Sequence, residues 1–159
     1  MKKKFKQLPL RNGVGVVLLN KNNKVFVAKR IDNPKNYWQM PQGGIDNNED
    51  YLNAALRELE EETSIKSVKL IKEIDGYLTY NLPDELLGII WKGKYKGQKQ
   101  KWYIMKFTGD ESEINVKTKK PEFLDWKWTD LENITDTVVE FKLDVYKKLK
   151  EEVKKIISN

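Results

Sequence analysis

The segment at residues 41–65 constrains the fold more than any other part of the chain, because a loop that resists helix formation leads directly into a helix. Residues 41–44 read Pro-Gln-Gly-Gly, a run that disfavours helix. Residues 47–50 read Asn-Asn-Glu-Asp; asparagine is a good helix cap, and acidic residues suit a first turn. The apolar residues that then recur on one face are Leu52, Ala55, Leu56 and Leu59. The spacing predicts a helix that buries this face and ends at about Thr63.

Short apolar runs on both sides of this helix predict strands. Residues 14–19 and 25–28 flank a Lys-Asn-Asn-Lys turn and predict a hairpin. Further strands are predicted at residues 68–80, 102–107 and 124–128. In a long C-terminal helix, predicted at residues 138–157, the apolar residues spaced by three or four are Phe141, Val145, Leu149, Val153 and Ile156. The order of elements predicts a single α+β domain over residues 1–159, with helices packed on a mixed sheet.

Two residue types are missing from the 159-residue chain, cysteine and histidine. Disulfides, thiolate zinc sites and histidine-based catalysis are therefore excluded, and hydrolytic chemistry must use carboxylates, lysines, tyrosines or a metal bound through oxygen. No long apolar run and no apolar signal core occur, so we expect a soluble cytoplasmic protein without a membrane partner. The net charge of +6 favours a polyanion such as a nucleotide or RNA, although a solvated lysine-rich surface has the same composition.

Three acidic residues of the predicted helix share one face. Glu58, Glu61 and Glu62 stand at i, i+3 and i+4, within an arc of roughly 100°, whereas Glu60 points to the other side. Like charges in such positions repel by a few tenths of a kcal/mol per pair. Two interpretations follow from the charges alone: a solvated acidic face, or a site for a hard divalent cation such as Mg²⁺.

The same segment resembles the sequence motif of the Nudix hydrolases, G-x5-E-x7-R-E-x2-E-E-x-G followed by an apolar residue. The matching residues are Gly43, Glu49, Arg57, Glu58, Glu61, Glu62 and Ile65. One position departs from the motif: Ser64 stands where the family has a glycine that closes the helix in a left-handed conformation. A residue other than glycine costs roughly 1–2 kcal/mol there. The resemblance implies the Nudix fold, an α/β/α sandwich.

The resemblance also implies roles for these residues. Glu58, Glu61 and Glu62 would bind metal, and one of them would activate the attacking water. Gly43 and Glu122 would complete the ligand set; the alternative for Glu122 is an exposed acid in a loop. Mg²⁺ is the expected ion, with Mn²⁺ as a substitute. Glu49 and Arg57 would form a structural charge pair that holds the loop onto the helix, or else a simple surface pair.

Segments outside the motif are similar to one subgroup, the bacterial RNA pyrophosphohydrolases and the dinucleoside polyphosphate hydrolases. These segments are residues 38–45, 97–103, 121–128 and 138–146. The resemblance runs from about residue 11 to about residue 152. It implies attack of metal-activated water on the 5′ triphosphate or diphosphate of RNA, which leaves a 5′ monophosphate. The alternatives are hydrolysis of dinucleoside polyphosphates and a non-catalytic RNA-binding module; neither DNA nor a membrane is an expected partner.

Basic residues outside the motif are candidates for binding this substrate. Arg11, Lys29 and Arg30 flank the first hairpin and are candidates for contacting the 5′ phosphates or a base. Lys99 and Lys101 alternate along an extended segment, so both side chains point to one side, toward phosphates or toward solvent.

Two aromatic residues are candidates for contacting a nucleobase. Phe141 resembles the family residue that stacks on a base, an interaction worth roughly 1–3 kcal/mol. Its alternative role is core packing, because it begins the apolar stripe of the last helix. Tyr80 is a second candidate of the same kind.

Overall fold

Two long parallel strands lie at the centre of the fold. In the computed structural model, which describes residues 3–32 and 35–158, β1 (Leu10–Leu19) pairs along its whole length with β6 (Gly97–Phe107). The other strands are β2 (Val25–Arg30), β3 (Gln42–Gly44), β4 (Val68–Glu73), β5 (Leu78–Asn81) and β7 (Phe123–Thr129). They form a mixed sheet in the order β4-β6-β1-β2-β7, with β3 added to β1 and β5 added to β6. The predicted hairpin is the antiparallel pair of β1 and β2.

One helix covers each face of this sheet. Alternation along β1 directs Val14, Val16 and Leu18 toward α1 (Tyr51–Thr63), and it directs Val17 and Leu19 toward α2 (Leu143–Ile157). The buried residues of α2 that pack on its face of the sheet are Val145, Tyr146, Leu149 and Val153. The predicted α+β class and the α/β/α sandwich are confirmed. Neither helix in the described part of the chain is long and apolar enough to cross a membrane.

Several predicted boundaries are wrong. The C-terminal helix begins at Leu143 rather than at residue 138, since residues 140–142 form a 3₁₀ turn. The strand predicted at residues 68–80 is two strands, separated by a bend at Gly76, whose φ is 72°. Helix α1 is capped by Asp50, which accepts a hydrogen bond from the Asn53 N–H at 2.7 Å, and not by residue 47 or 48.

The buried face of α1 is rotated from the predicted one. Ala54, Ala55 and Leu59 are buried, whereas Leu56 is 37% exposed. The side chain of Glu62 belongs to the buried face and is only 3% exposed. The apolar pattern did not predict the burial of Glu62, because such a pattern identifies aliphatic residues only. A carboxylate at the edge of the apolar stripe is expected to face solvent. Packing of α1 on the sheet therefore places one acidic side chain in the protein interior.

Ser64 ends α1 in the left-handed conformation that the sequence motif reserves for glycine. Its φ is 66° and its ψ is 7°, and its N–H donates to the Glu60 carbonyl at 2.8 Å. The Ser64 hydroxyl donates to the carbonyl of Asn115 at 2.9 Å. This hydrogen bond offsets part of the strain that a Cβ brings to a left-handed residue.

We expect Ser64→Ala to destabilise the protein, because it removes the hydrogen bond and keeps the Cβ in a left-handed conformation. Ser64→Gly also removes the hydrogen bond but relieves the strain, so its free energy of unfolding should exceed that of Ser64→Ala by about 1 kcal/mol. Chemical denaturation of the two variants measures the difference. Equal stabilities would show that residue 64 is not strained.

Candidate active site

A cavity of about 730 Å³ opens beside β3 and the face of α1 that carries Glu58. Its charged lining residues are Arg11, Arg30, Asp32, Glu58, Glu122 and Lys142. Its aromatic lining residues are Tyr37, Trp38, Tyr80, Trp91 and Phe141. A volume in this range accommodates a ligand of nucleotide size. The lining thus combines charged groups with flat apolar rings in a single enclosure.

Gly43 brings strand β3 directly against the helix. It pairs with Val14 of β1, and a Cβ placed on it would overlap the carboxyl group of Glu58. Any larger residue would therefore push the helix carboxylate away from the strand. The first glycine of the sequence motif is explained by this close approach, which lets Glu58 reach the cavity wall.

Arg57 ties the loop before the helix to the helix itself. It donates two hydrogen bonds to the Glu49 carboxylate, from Nε at 2.7 Å and from Nη2 at 2.9 Å, and a third to the Gly44 carbonyl at 3.0 Å. The guanidinium lowers the pKa of Glu49 to about 2. Since Glu49 lies before α1 and not within it, this pair fixes the loop at residues 44–50 against the helix.

The remaining nitrogen of Arg57 holds two of the three candidate glutamates. Nη1 donates to Glu58 Oε1 at 2.9 Å and to Glu61 Oε2 at 3.1 Å. The Glu61 side chain is 58% exposed, whereas that of Glu58 is mostly buried. In this conformation, no three acidic side chains of the described residues lie close enough together to hold one metal ion. The two carboxylates point toward Arg57 instead.

Glu62 differs from both neighbours because no donor group of the described residues satisfies it. Within residues 3–32 and 35–158, neither of its carboxylate oxygens accepts a hydrogen bond from a donor group, and the carboxyl of Glu122 can bond to it only through a shared proton. Burial, and next the nearby charges of Glu122 and Glu58, raise its pKa well above the usual range, while Arg30 opposes the shift. A buried carboxylate without partners is costly unless a cation or a proton satisfies it. Glu62 is thus the group at this site that most requires a counter-charge.

Arg30 and Glu122 approach the same region from β2 and from the start of β7. The Glu122 carboxylate lies 3.8 Å from Arg30 Nη1, and its backbone carbonyl accepts from the Ile31 N–H at 2.9 Å. Arg30 also donates to both carboxylate oxygens of Asp32, at 2.8 and 2.9 Å. The sequence analysis missed Asp32, although the Arg-Ile-Asp spacing at a strand end is a detectable signal for such a fork.

Lys142 is a second residue that the sequence analysis missed. Its side chain is buried at the cavity wall, where Nζ lies 3.4 Å from Gln39 Oε1 and 5.6 Å from the centre of the Tyr80 ring. Burial, and next the charge of Arg30, lower its pKa to about 8. The apolar pattern of the predicted helix did not single out Lys142, because the pattern did not show that the chain turns before α2.

The aromatic candidates occupy the cavity wall. Phe141 is partly exposed, and its ring centre is 5.6 Å from that of Tyr80. The Tyr80 hydroxyl accepts from Gln98 Nε2 at 2.8 Å. Phe141 also packs against the core beneath α2. Both interpretations of Phe141 therefore have a structural basis, since one side of it contacts the core and the other contributes to the cavity.

Arg11 reaches the cavity, but three other basic candidates do not line it among the described residues. The Arg11 guanidinium lies 5.3 Å from the ring centre of Trp91, a loop residue that the sequence analysis did not name as a candidate. Lys99 Nζ lies 4.5 Å from the Tyr77 ring centre. Lys101 Nζ lies 3.6 Å from the Glu73 carboxylate. Lys29 is the third basic candidate that does not line the cavity formed by the described residues. Alternation along β6 explains the two lysines, because they share a side with Tyr103, opposite to Gln98.

Comparisons with known proteins agree with this geometry. The family model described as NUDIX domain matches residues 9–149. The RNA pyrophosphohydrolase of Pelagibacter ubique is 72% identical over 95% of this chain and 96% of that protein. The RNA pyrophosphohydrolase of Rhodospirillum rubrum is 47% identical over 89% of this chain and 86% of that protein.

Solved structures share the fold at low identity. The E. coli dihydroneopterin triphosphate pyrophosphohydrolase has a TM-score of 0.71 at 19% identity, over 92% of this chain and 99% of that one. A C. elegans Ap4A hydrolase has a TM-score of 0.60 at 20% identity, over 92% of this chain and 96% of that one. The family match and the relatives together show that the chain is a hydrolase of the NUDIX family, whose members depend on divalent metal ions.

Proposed function

We propose that this hydrolase removes pyrophosphate from the 5′ triphosphate end of RNA, or phosphate from the 5′ diphosphate end, and leaves a 5′ monophosphate. The observation that carries the proposal is the single cavity that joins the carboxylates of Glu58 and Glu122 to the Tyr80–Phe141 wall. Phosphates require charged groups, and a nucleobase requires a flat apolar ring. The relatives named RNA pyrophosphohydrolase support the same substrate.

The chemistry of the donor set suits a divalent cation, although in this conformation the described acidic side chains are too far apart to hold one ion together. Glu62 has two buried carboxylate oxygens that accept no hydrogen bond from a donor group of the described residues, and the charges of Glu58 and Glu122 lie near it. Glu58, Glu62 and Glu122 would hold the ion, with Glu61 and the Gly43 carbonyl as further oxygen ligands. An all-oxygen set suits Mg²⁺, with Mn²⁺ as a substitute. When bound, the ion supplies a Lewis acid that offsets charge on phosphate oxygens.

Side chains of the protein would accept the proton, bind the phosphates and stack on the base. Burial raises the pKa of Glu58 despite the nearby Arg57, and it raises that of Glu62 further, so both carboxylates have more affinity for a proton than an exposed glutamate. One of them would accept the proton of the attacking water. Arg30 and Lys142 line the cavity as cations and would bind the phosphates. The Phe141 ring would stack on a base of the RNA.

Hydrolysis of dinucleoside polyphosphates is the second candidate function. Trp91 lines the same cavity as Phe141 and offers another ring for a second base. A non-catalytic RNA-binding module, the third interpretation of the sequence, disagrees with membership of a hydrolase family and gives no reason to bury the Glu62 carboxylate.

Substrate tests with a metal control separate these functions. We expect release of pyrophosphate or phosphate from 5′-triphosphorylated RNA with Mg²⁺ or Mn²⁺, no turnover in excess chelator and no requirement for Zn²⁺. Diadenosine tetraphosphate is assayed in parallel. Faster turnover of diadenosine tetraphosphate than of RNA would favour the second candidate, and turnover of neither would favour the binding module. Undiminished activity in chelator would contradict the metal site.

We expect Glu61→Gln and Glu62→Gln each to lower turnover roughly 100-fold or more, because each removes a charged ligand at nearly constant volume. Glu60→Gln is the matched control, since Glu60 is exposed and lies on the other side of the helix. Steady-state rates at saturating Mg²⁺ provide the measurement. Near-normal rates in both Glu61 and Glu62 variants would place the metal elsewhere.

The same Glu62 variant has an expected effect on stability in chelator. The pKa of Glu62 is raised on folding, so its contribution to stability is complete below the unfolded pKa of about 4.3 and is lost as the pH rises through the folded value. Glu62→Gln should therefore be more stable than wild type at neutral pH, and the difference in the free energy of unfolding should close in acid. Denaturant titrations at both pH values test this; a destabilised variant at neutral pH would show that the buried charge is already compensated.

We expect Phe141→Ala to raise the KM for triphosphorylated RNA about 5- to 150-fold, the range that corresponds to loss of one base stack. Its stability should fall less than that of Phe26→Ala, because Phe26 is fully buried and a core phenylalanine contributes about 3–5 kcal/mol. Paired kinetics and denaturation of both variants measure the two quantities. An unchanged KM together with a loss of stability equal to that of Phe26→Ala would assign Phe141 to the core alone.

A further inference from the structure

A second cavity, of about 350 Å³, lies next to the first one and carries two lysines. It is lined by Lys6, Asn81, Leu82, Asp84, Leu87 and Lys96. Leu82 lines both cavities, so a single side chain contributes to the walls of each. Lys6 and Lys96 are 90 positions apart in the sequence, and the fold brings them to one depression.

These lysines have no acidic partner in the part of the chain that the structure describes. Among the described residues, neither Lys6 Nζ nor Lys96 Nζ lies within 4.0 Å of a carboxylate oxygen, and this includes Asp84 in the same depression. The exposed Lys92 and Lys94, on the loop that leads to Lys96, are also unpaired within residues 3–32 and 35–158. Two of these lysines, Lys6 and Lys96, thus line the second cavity, and the other two lie on the loop that leads to it.

Three lysines of α2 form ion pairs, unlike the lysines beside the second cavity. Lys150 and Lys154 both bind the carboxylate of Glu132, at 2.8 and 3.1 Å, and Lys155 binds Glu152 at 2.8 Å. The unpaired lysines beside the second cavity therefore differ from these pairs in having their charge available to an anion. Lys147 and Lys148 of the same helix are exposed and make no ion pair among the described residues, so they provide a matched control for lysines without a partner.

The loop that carries these lysines is held in a strained but braced shape. Trp91 and Lys92 have φ values of 52° and 57°, and Gly93 follows at 71°. Gly88 packs so closely on the Phe5 ring that a Cβ on it would lie 2.7 Å from that ring. The Lys96 N–H donates to the Pro9 carbonyl at 3.1 Å. Strain that the surrounding packing maintains is a feature of functional loops.

We propose that Lys6, Lys92, Lys94 and Lys96 bind phosphates of the RNA chain downstream of the 5′-terminal nucleotides. We call these four lysines the downstream surface. The proposal rests on the proposed function, because it extends the RNA from the catalytic cavity, past Trp91 and Leu82, toward the second cavity. Single-stranded RNA is bound by such grooves, in which cations follow the backbone beside an aromatic residue.

Binding of RNA without a 5′ phosphate tests the downstream surface separately from catalysis. The probe is a fluorescent 5′-hydroxyl single strand of about 12 nucleotides, titrated with the full chain and followed by anisotropy. The variant is Lys6→Ala with Lys96→Ala, and the control is Lys147→Ala with Lys148→Ala. Both control lysines are exposed on α2, and the pair has the same change in net charge.

We expect the Lys6/Lys96 variant to weaken binding about tenfold at low salt and to make the slope of log K against log salt shallower by about 1.4, since each lost phosphate contact contributes about 0.7. The control variant should stay close to wild type. Equal behaviour of the two variants would overturn the proposal, as would equal losses on a 5′-triphosphorylated dinucleotide. Failure of the proposed function would instead appear as absent pyrophosphate release in wild type, whichever way the binding result falls.

Discussion

The burial of the Glu62 carboxylate is the interaction on which the arrangement of the site depends. Helix α1 packs its apolar face on the sheet, and the same rotation turns Glu62 inward, where neither oxygen accepts a hydrogen bond from a donor group of the described residues. Gly43 lets the strand approach closely enough for Glu58 to lie beside it. Arg57 then fixes the loop through Glu49. Packing of the helix on the sheet therefore offsets the free-energy cost of removing a carboxylate from water.

Much of this architecture could be predicted from the sequence. The family, the α+β sandwich and the hydrolase class are confirmed, because a spaced motif and the periodicity of apolar residues survive without tertiary information. The end of α1 at Thr63 agrees with the prediction, and Ser64 is left-handed although it departs from the glycine of the motif. The single-domain assignment over residues 1–159 and the roles of the site residues stay predictions.

The parts that could not be predicted depend on contacts between distant segments. Lys142 is buried by the turn before α2, and Trp91 reaches the cavity from a loop. No periodic pattern encodes such contacts. Alternation along β6 did place Lys99 and Lys101 on one side, as expected, but only the sheet topology shows that this side faces away from Gln98 and the cavity. Alternation in a strand predicts which side chains share a face of the sheet, and the sheet topology determines what each face contacts.

Arg57 introduces a competition that bears on how the site works. Its Nη1 already neutralises Glu58 and Glu61, at 2.9 and 3.1 Å, while Nε and Nη2 remain with Glu49. A cation held by Glu58 and Glu61, as proposed, would compete with Arg57 Nη1 for these two carboxylates, while Nε and Nη2 of Arg57 stay bonded to Glu49. The Glu49–Arg57 pair and the proposed metal ligands are therefore linked through one guanidinium. Glu58 and Glu61 could then exchange Arg57 for a cation without unfolding the end of the helix. The hydrogen bonds to Glu49 would keep the Arg57 guanidinium close to both carboxylates.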